Sequence, residues 1–156
     1  MHDASMREMA LFRDKYLDAA KPLDIVDIGS MDINGCYRGL FDNPGWKYTG
    51  FDIEPGSNVD IVGFDNLQMN SYDVLISGST LEHVKRPWDW LADLKWYIRR
   101  GGLICIITHH TWPMHRYPID TYRYYPDGML DLFEYAGIEV VEIKRNETDT
   151  IGIGKI

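Results

Sequence analysis

The stretch "DIGSMDING", residues 27–35, follows the apolar run "LDIV" and decides how the chain is read. An acidic residue and then a glycine at the end of a short β-rich run is how many nucleotide-binding loops begin. Gly29 would let the backbone approach a ligand, and Gly35 would open the next element at little steric cost. Met31, Asp32 and Ile33 stand where such loops usually carry more glycine, and the loop fails G-x-G-x-x-G at several positions. Pyrophosphate needs a glycine-lined helix N-terminus pressed close to it, so a dinucleotide is disfavoured. A cofactor without phosphate needs less clearance.

Working outward, hydrophobic patterning predicts a helix over residues 4–20, with Met9, Phe12, Tyr16 and Ala20 three or four apart. Strands are predicted at 22–29, 46–53, 58–62, 72–78, 103–110, 138–144 and 151–156, with two helical turns at 34–41. The best-marked helix runs from Pro87 to Arg100, with Arg99 and Arg100 in its last turn and Gly101–Gly102 as its stop. Another helix opens at Pro126 and closes at Gly137. Strands alternating with helices imply an α/β fold: a doubly wound, mostly parallel seven-stranded sheet with helices on both faces. Residues 54–58 are short for a parallel crossover, so 58–62 is either a minimal edge strand or no strand at all.

The chain has 156 residues, enough for one domain, with 45% hydrophobic and 13% aromatic residues. Residues 1–22 read as an N-terminal helix, 23–78 as a cofactor-binding half and 79–156 as a substrate-side half. The formal charge of −8 opposes nucleic-acid backbones, so general nucleic-acid binding is not expected. No apolar run reaches the roughly 20 residues of a membrane helix. The N-terminus lacks a signal-peptide core. The two cysteines, Cys36 and Cys105, read as free thiols in a reducing cytoplasm.

In a doubly wound sheet, ligands bind beyond the carboxyl ends of the strands where strand order reverses. Asp52 ends the second predicted strand and can accept the ribose hydroxyls of an adenine nucleoside. The segment "THHTWPMHRYPIDTYRYYPDG", 108–128, holds His109, His110 and His115 among aromatic residues, placed to form a pocket wall. His110 or His115 would serve as a base, while His109, Tyr117, Tyr122 and Arg123 would contact substrate. The bland alternative is a lid whose tyrosines pack on the sheet and whose Arg116 and Asp120 pair. His83, beside Glu82, suits a hydrogen bond that orients a loop. No metal is expected, because no tight H-x-E-x-H or H-x-x-x-H spacing occurs; His110 and His115 with Glu82 or Asp120 would be the alternative.

The succession "DIGSMDINGCYRGLF", "YTGFDIEP", "YDVLISGSTLEHVKRPWDWLADLKWYIRRGGLICIIT" and "HRYPIDTYRYYPDGMLDLFEYAGIEVVEI" resembles a compact class I S-adenosylmethionine-dependent methyltransferase of type 11, over about residues 23–143. The first loop is similar to a family variant of the form GS-D-NG-YR. The resemblance implies cofactor contacts from Asp27 and Gly29 to the methionine moiety and from Asp52 to the ribose. It places Ile53 against adenine, Asp65 at the adenine amino group, and Ser77 and Gly78 beneath the sulfonium. It implies methyl transfer by direct displacement to oxygen or nitrogen of a small-molecule or glycan-like acceptor, yielding S-adenosylhomocysteine. Met31 and Ile33, in place of glycines, put the close backbone approach in question. Two rivals stand: a non-catalytic binding or scaffold protein on the same fold, and a nicotinamide-dependent Rossmann enzyme.

Overall fold

The computed structural model describes residues 3–156, so the first two residues of the predicted 1–22 segment lie outside the described residues. Helix α1 spans Asp3–Tyr16 and buries Met9 and Phe12, the pair its spacing selects. Strand β1 is Leu23–Ile28, β2 Trp46–Asp52, β3 Ile61–Val62 and β4 Tyr72–Gly78. Helix α2 spans Pro87–Leu94, β5 Ile98–His109, α3 Pro126–Ala136, β6 Glu139–Arg145 and β7 Asp149–Lys155.

The seven strands form one sheet in the order β3-β2-β1-β4-β5-β7-β6. The first five are parallel, and β7 runs antiparallel between β5 and β6. Consecutive buried residues along β1 and β5 reflect a sheet covered on both faces. One face carries Val26, Ile28, Leu75, Ile104 and Ile106 against Leu91 and Leu94 of α2 and Met129, Leu132 and Phe133 of α3. The other carries Ile25, Val74, Ile76, Ile107, Ile151 and Ile153 against Met9 and Phe12 of α1, with Tyr37 and Phe41. Each fully buried side chain of this size contributes roughly 1.5–3 kcal/mol. Cys105 belongs to the second cluster; burial pushes its thiol up, which keeps it inert. Among the described residues no helix is long and apolar enough to cross a membrane.

Three elements depart from the sequence reading. The predicted turns at 34–41 are reduced to a single 3-10 turn, Arg38–Phe41. The helix expected to run to Arg100 ends at Leu94, with a 3-10 turn at Lys95–Tyr97, and the chain enters β5 at Ile98. Arg99 is drawn into the sheet by Asp24 and Asp73, at 2.9 and 2.8 Å. Gly101, at φ +84, takes the irregularity where two steps along β4 match five along β5. Third, the helix predicted to residue 20 ends at Tyr16, leaving Ala20 exposed in a turn. Of the two alternatives for 58–62 the minimal edge strand forms: β3 is a two-residue strand beyond a helix-free connection, 53–60.

Hydrogen bonds hold that connection where a crossover helix would pack. Asp32 N–H donates to the Ser57 carbonyl at 3.0 Å, and the Asn58 side-chain amide donates to the Ser30 carbonyl at 2.7 Å. The Arg38 guanidinium binds the Asp60 carboxylate at 2.6 Å and lies over the Tyr48 ring at 4.5 Å. The 53–60 connection and the 29–35 loop therefore fold as one unit at the carboxyl ends of β1 and β2.

Candidate functional site

Strand order reverses between β1 and β4, and the carboxyl ends of β1, β2, β4 and β5 share one edge of the sheet. Gly29 turns the chain there at φ +80, its N–H donating to the Phe51 carbonyl at 2.9 Å. A methyl group at Gly29 would lie 2.1 Å from Thr80 Oγ1, so only glycine fits this crossing. At the end of β2, Asp52 is half-buried. Its Oδ2 accepts the Met31 N–H at 3.1 Å and its Oδ1 the Ile53 N–H at 2.7 Å. Ile53 is 61% exposed. Met31 packs on Gly56 of the 53–60 connection, and Ile33 is 49% exposed. Of the two side chains that replace loop glycines, Ile33 is thus turned out to solvent, whereas Met31 is half-buried against the 53–60 connection.

The other residues selected for a cofactor lie deeper or farther out. Asp27 is buried, and its carboxylate accepts a hydrogen bond from the Tyr48 hydroxyl. Burial pushes Asp27 up to about 7, with Asp52 adding to the rise while Tyr48 and Arg38 oppose it. Ser77 is fully buried and donates to the Ile28 carbonyl at 2.7 Å, tying β4 to β1. Gly78 is also buried, with the Tyr37 ring against it: a methyl there would stand 2.0 Å from the Tyr37 hydroxyl oxygen. Asp65 is exposed in the 3-10 turn Phe64–Asn66 beyond β3.

The carboxyl end of β5 builds a second constellation. His109 is 1% exposed; its Nδ1 meets Asp149 Oδ1 of β7 at 2.7 Å and its Nε2 faces Glu82 Oε1 at 3.3 Å. Glu82, in the 3-10 turn Leu81–His83 after β4, is fully buried. Its Oε2 accepts the Thr108 hydroxyl at 2.7 Å. The His115 ring stands edge-on to His83 and His109, with centroids 4.9 and 5.6 Å away, and Trp112 stacks on His109 at 5.2 Å. One ligand atom from each of Glu82, His109 and His115 lies within 4.8 Å of the others. These three come from different segments of the chain, so no local spacing motif marks the group.

The 110–125 loop is stapled over this cluster. Arg123 forms a bidentate pair with Asp120, at 2.6 and 2.7 Å, and donates to the carbonyls of Trp112 and Pro113. Asp120 also accepts the His115 N–H at 2.7 Å. Arg123, expected to contact substrate, is consumed by this clamp, and the partner foreseen for Asp120, Arg116, is not the one it takes. His83 uses Nδ1 on the Ile119 carbonyl, and the Thr121 hydroxyl donates to the Glu82 carbonyl at 2.7 Å. His110 is not gathered with His83, His109 and His115: it is 7% exposed, with Nε2 on the Asn146 carbonyl at 3.1 Å and its ring stacked on Tyr125. Tyr117 and Tyr122 remain exposed.

Comparison with solved structures gives many matches. The chain aligns over 98% of its length with 78% of a Burkholderia thailandensis 1,6-didemethyltoxoflavin-N1-methyltransferase, solved with bound 1,6-didemethyltoxoflavin and S-adenosylhomocysteine, at TM-score 0.78 and 15% identity. It aligns over all of its length with 99% of an Aquifex aeolicus S-adenosylmethionine-dependent methyltransferase, at TM-score 0.69 and 16% identity. The fold is that of the class I methyltransferases. No protein-family model and no curated protein matches the sequence. The methyltransferase fold is also that of the [4+2]-cyclase SpnF, which aligns at TM-score 0.71 and 13% identity over 96% of this chain and 80% of its own. Fold alone therefore leaves the chemistry to the site.

Asp149, Thr108, Tyr48 and Tyr37 belong to the site's framework; the last three lie within stretches the sequence singled out but were given no role, and Asp149 lies outside all of them. Asp149 meets its partner His109 across 40 positions, through an antiparallel pairing that only the sheet order brings about.

Proposed function

We propose that the chain binds S-adenosylmethionine across the carboxyl ends of β1 and β2 and transfers its methyl group to oxygen or nitrogen of a small-molecule or glycan-like acceptor. One observation carries the reading: Ile53 is held out in water beside the half-buried Asp52 carboxylate, next to the Gly29 turn and one strand from the switch point. An exposed apolar side chain adjoining an acid suits a nucleoside, the base against Ile53 and the ribose hydroxyls on the outer lone pairs of Asp52. The residues fit that group because Ile33 points to solvent and Met31 is taken up against Gly56 of the 53–60 connection.

The bound cofactor would supply an electrophilic methyl on a sulfonium. The chain's share is to orient the nucleoside through Asp52 and Ile53, to hold the acceptor under the 110–125 loop, and to keep water out. In the displacement the acceptor atom would form a bond to the methyl carbon as the carbon–sulfur bond breaks and its electron pair returns to sulfur, and a hydroxyl acceptor would pass its proton to a general base. The Glu82–His109–His115 cluster is the site's candidate for managing that oxygen, with Tyr117 and Tyr122 as acceptor contacts. A nicotinamide enzyme is disfavoured, because the antiparallel β7 between β5 and β6 departs from the 3-2-1-4-5-6 order of dinucleotide-binding sheets. The non-catalytic reading rests on one feature, that both Asp52 oxygens already accept backbone N–H groups.

Thermal-shift titrations with S-adenosylmethionine, S-adenosylhomocysteine and NAD test the reading. At a hundredfold over its dissociation constant a ligand adds ~2.7 kcal/mol, and a rise of roughly 5 °C is expected with the two sulfur nucleosides. Asp52→Ala should abolish that rise while keeping the unliganded fold. No shift with either nucleoside, confirmed by calorimetry, would favour the non-catalytic reading.

A further inference from the structure

Glu82 Oε1 is fully buried and accepts no hydrogen bond among the described residues. A buried carboxylate oxygen left in this state is costly unless a cation meets it. What faces it is imidazole: His109 Nε2 at 3.3 Å and His83 Nε2 at 4.0 Å. Glu82 and Asp149 are both buried, and neither forms an ion pair with any lysine or arginine among the described residues.

We propose that Glu82, His109 and His115 form a three-ligand site for a divalent transition-metal ion of the zinc class. A tetrahedral shell of roughly 2.1 Å radius sets neighbouring donors about 3.4 Å apart. The 3.3 Å between Glu82 Oε1 and His109 Nε2 is already such an edge. The third donor, on His115, lies within 4.8 Å of both, so a shift of about 1 Å in the 110–125 loop completes the triangle.

The groups behind the ligands support the assignment. His109 has Asp149 on its Nδ1 at 2.7 Å, which fixes the ring and aims Nε2 at Glu82. His115 has the Pro113 carbonyl on its Nδ1 at 3.1 Å, and its backbone N–H is held by Asp120, itself clamped by the Arg123 fork. The second oxygen of Glu82 is fixed by Thr108. A carboxylate or a backbone carbonyl on the second ring nitrogen of each metal-ligating histidine is the usual second layer of such centres, and His109 and His115 have one of each. The two buried carboxylates, Glu82 and Asp149, carry the charge that a divalent ion neutralises.

Two imidazoles and one carboxylate suit zinc, iron(II) or cobalt(II), and discriminate against magnesium and calcium, which take oxygen ligands. Three protein ligands leave coordination positions open. Glu82 and His109 are closed off, whereas the His115 side chain is 35% exposed, so the open positions face the underside of the 110–125 loop. An oxygen donor of a bound molecule is the ligand they would take. That this molecule is a methyl acceptor rests on the methyltransferase reading; the metal site does not.

The test is isothermal titration of the full chain, stripped with chelator, with zinc and separately with magnesium, and no cofactor present. Zinc should bind at one equivalent per chain, and magnesium should give no saturable binding. His115→Ala, in a loop outside the core, should weaken zinc at least about tenfold with an unchanged circular dichroism spectrum. Asp149→Asn should weaken it by roughly 10–100-fold. Cobalt(II) should give a visible absorption band that the His115 variant loses. Zinc binding equal in wild type and the His115 variant, or magnesium binding as well as zinc, would overturn the site. Because no nucleoside enters the titration, its outcome is separate from that of the cofactor test.

Discussion

Asp27 shows how one side chain can belong to a familiar motif and still carry an unforeseen property. Its place in "DIG" marked it as part of the loop, but what surrounds it comes from Tyr48 and Asp52 on the neighbouring strand and from Arg38, none of which local sequence brings near. With the carboxyl pushed up to about 7, the native state holds a proton that the unfolded chain releases near pH 4. Between those values the unfolded state binds fewer protons, so stability falls as pH rises, by up to about 1.4 kcal/mol per pH unit. The contribution is fully present below about pH 4 and is lost as pH rises through about 7. Urea midpoints measured from pH 4.5 to 7.5 should show this decline, and Asp27→Asn should flatten it. Equal slopes in both proteins would place the titrating group elsewhere. Of the histidines, sequence could count them but not sort them: His109 and His110 are neighbours, yet one faces Glu82 and the other Asn146.

Among the elements, the 110–125 loop was recognised as functional from its composition, while its internal wiring was not. Arginine and tyrosines in such a run read equally well as ligand contacts or as packing. The structure makes Arg123 a brace, and the Arg123 guanidinium holds the Asp120 carboxyl well below the usual carboxylate range. Asp120 therefore stabilises the loop above about pH 4, and that contribution fades as pH falls below it, the opposite sense to Asp27 and in a separate window. Removing the guanidinium in Arg123→Ala should cost on the order of 2 kcal/mol, the value of charge-assisted hydrogen bonds. Hydrogen exchange should quicken in residues 110–125 and remain unchanged in α1. If protection is lost uniformly, the brace is not local. The misjudged end of α2 has a similar origin. Arg99, Arg100 and the two glycines imitate a helix terminus, but Asp24 and Asp73, from β1 and β4, capture Arg99 into the sheet. Local periodicity has no access to that competition.

At the scale of the whole molecule, most of the architecture was readable because alternation and length encode it: seven strands were expected and seven form. The order of the last two was not encoded locally. The glycines of "IGIGKI" show why that pairing works, since β7 lies directly beneath α3. A methyl at Gly154 would come within 2.4 Å of Ile138 Cγ2 and 2.9 Å of the Phe133 ring. Gly154→Ala should therefore cost about 1–3 kcal/mol through overpacking, read as a lower urea midpoint with the same m-value. An unchanged midpoint would mean that α3 can ride up at no cost.

The two rims of the sheet also bear on how the molecule behaves in a crowd. A strand with free N–H and C=O groups is a template on which another chain can polymerise. One rim is β3, only two residues long. The other is β6, which bulges between Val140 and Glu142. Its Glu142 accepts from the Tyr16 hydroxyl at 2.6 Å, and its Lys144 pairs with Glu8 at 2.7 Å. A short stub on one side and a kinked, charged border on the other leave an incoming strand nowhere to add, so a protein with so many apolar strands is guarded at both borders against edge-to-edge aggregation.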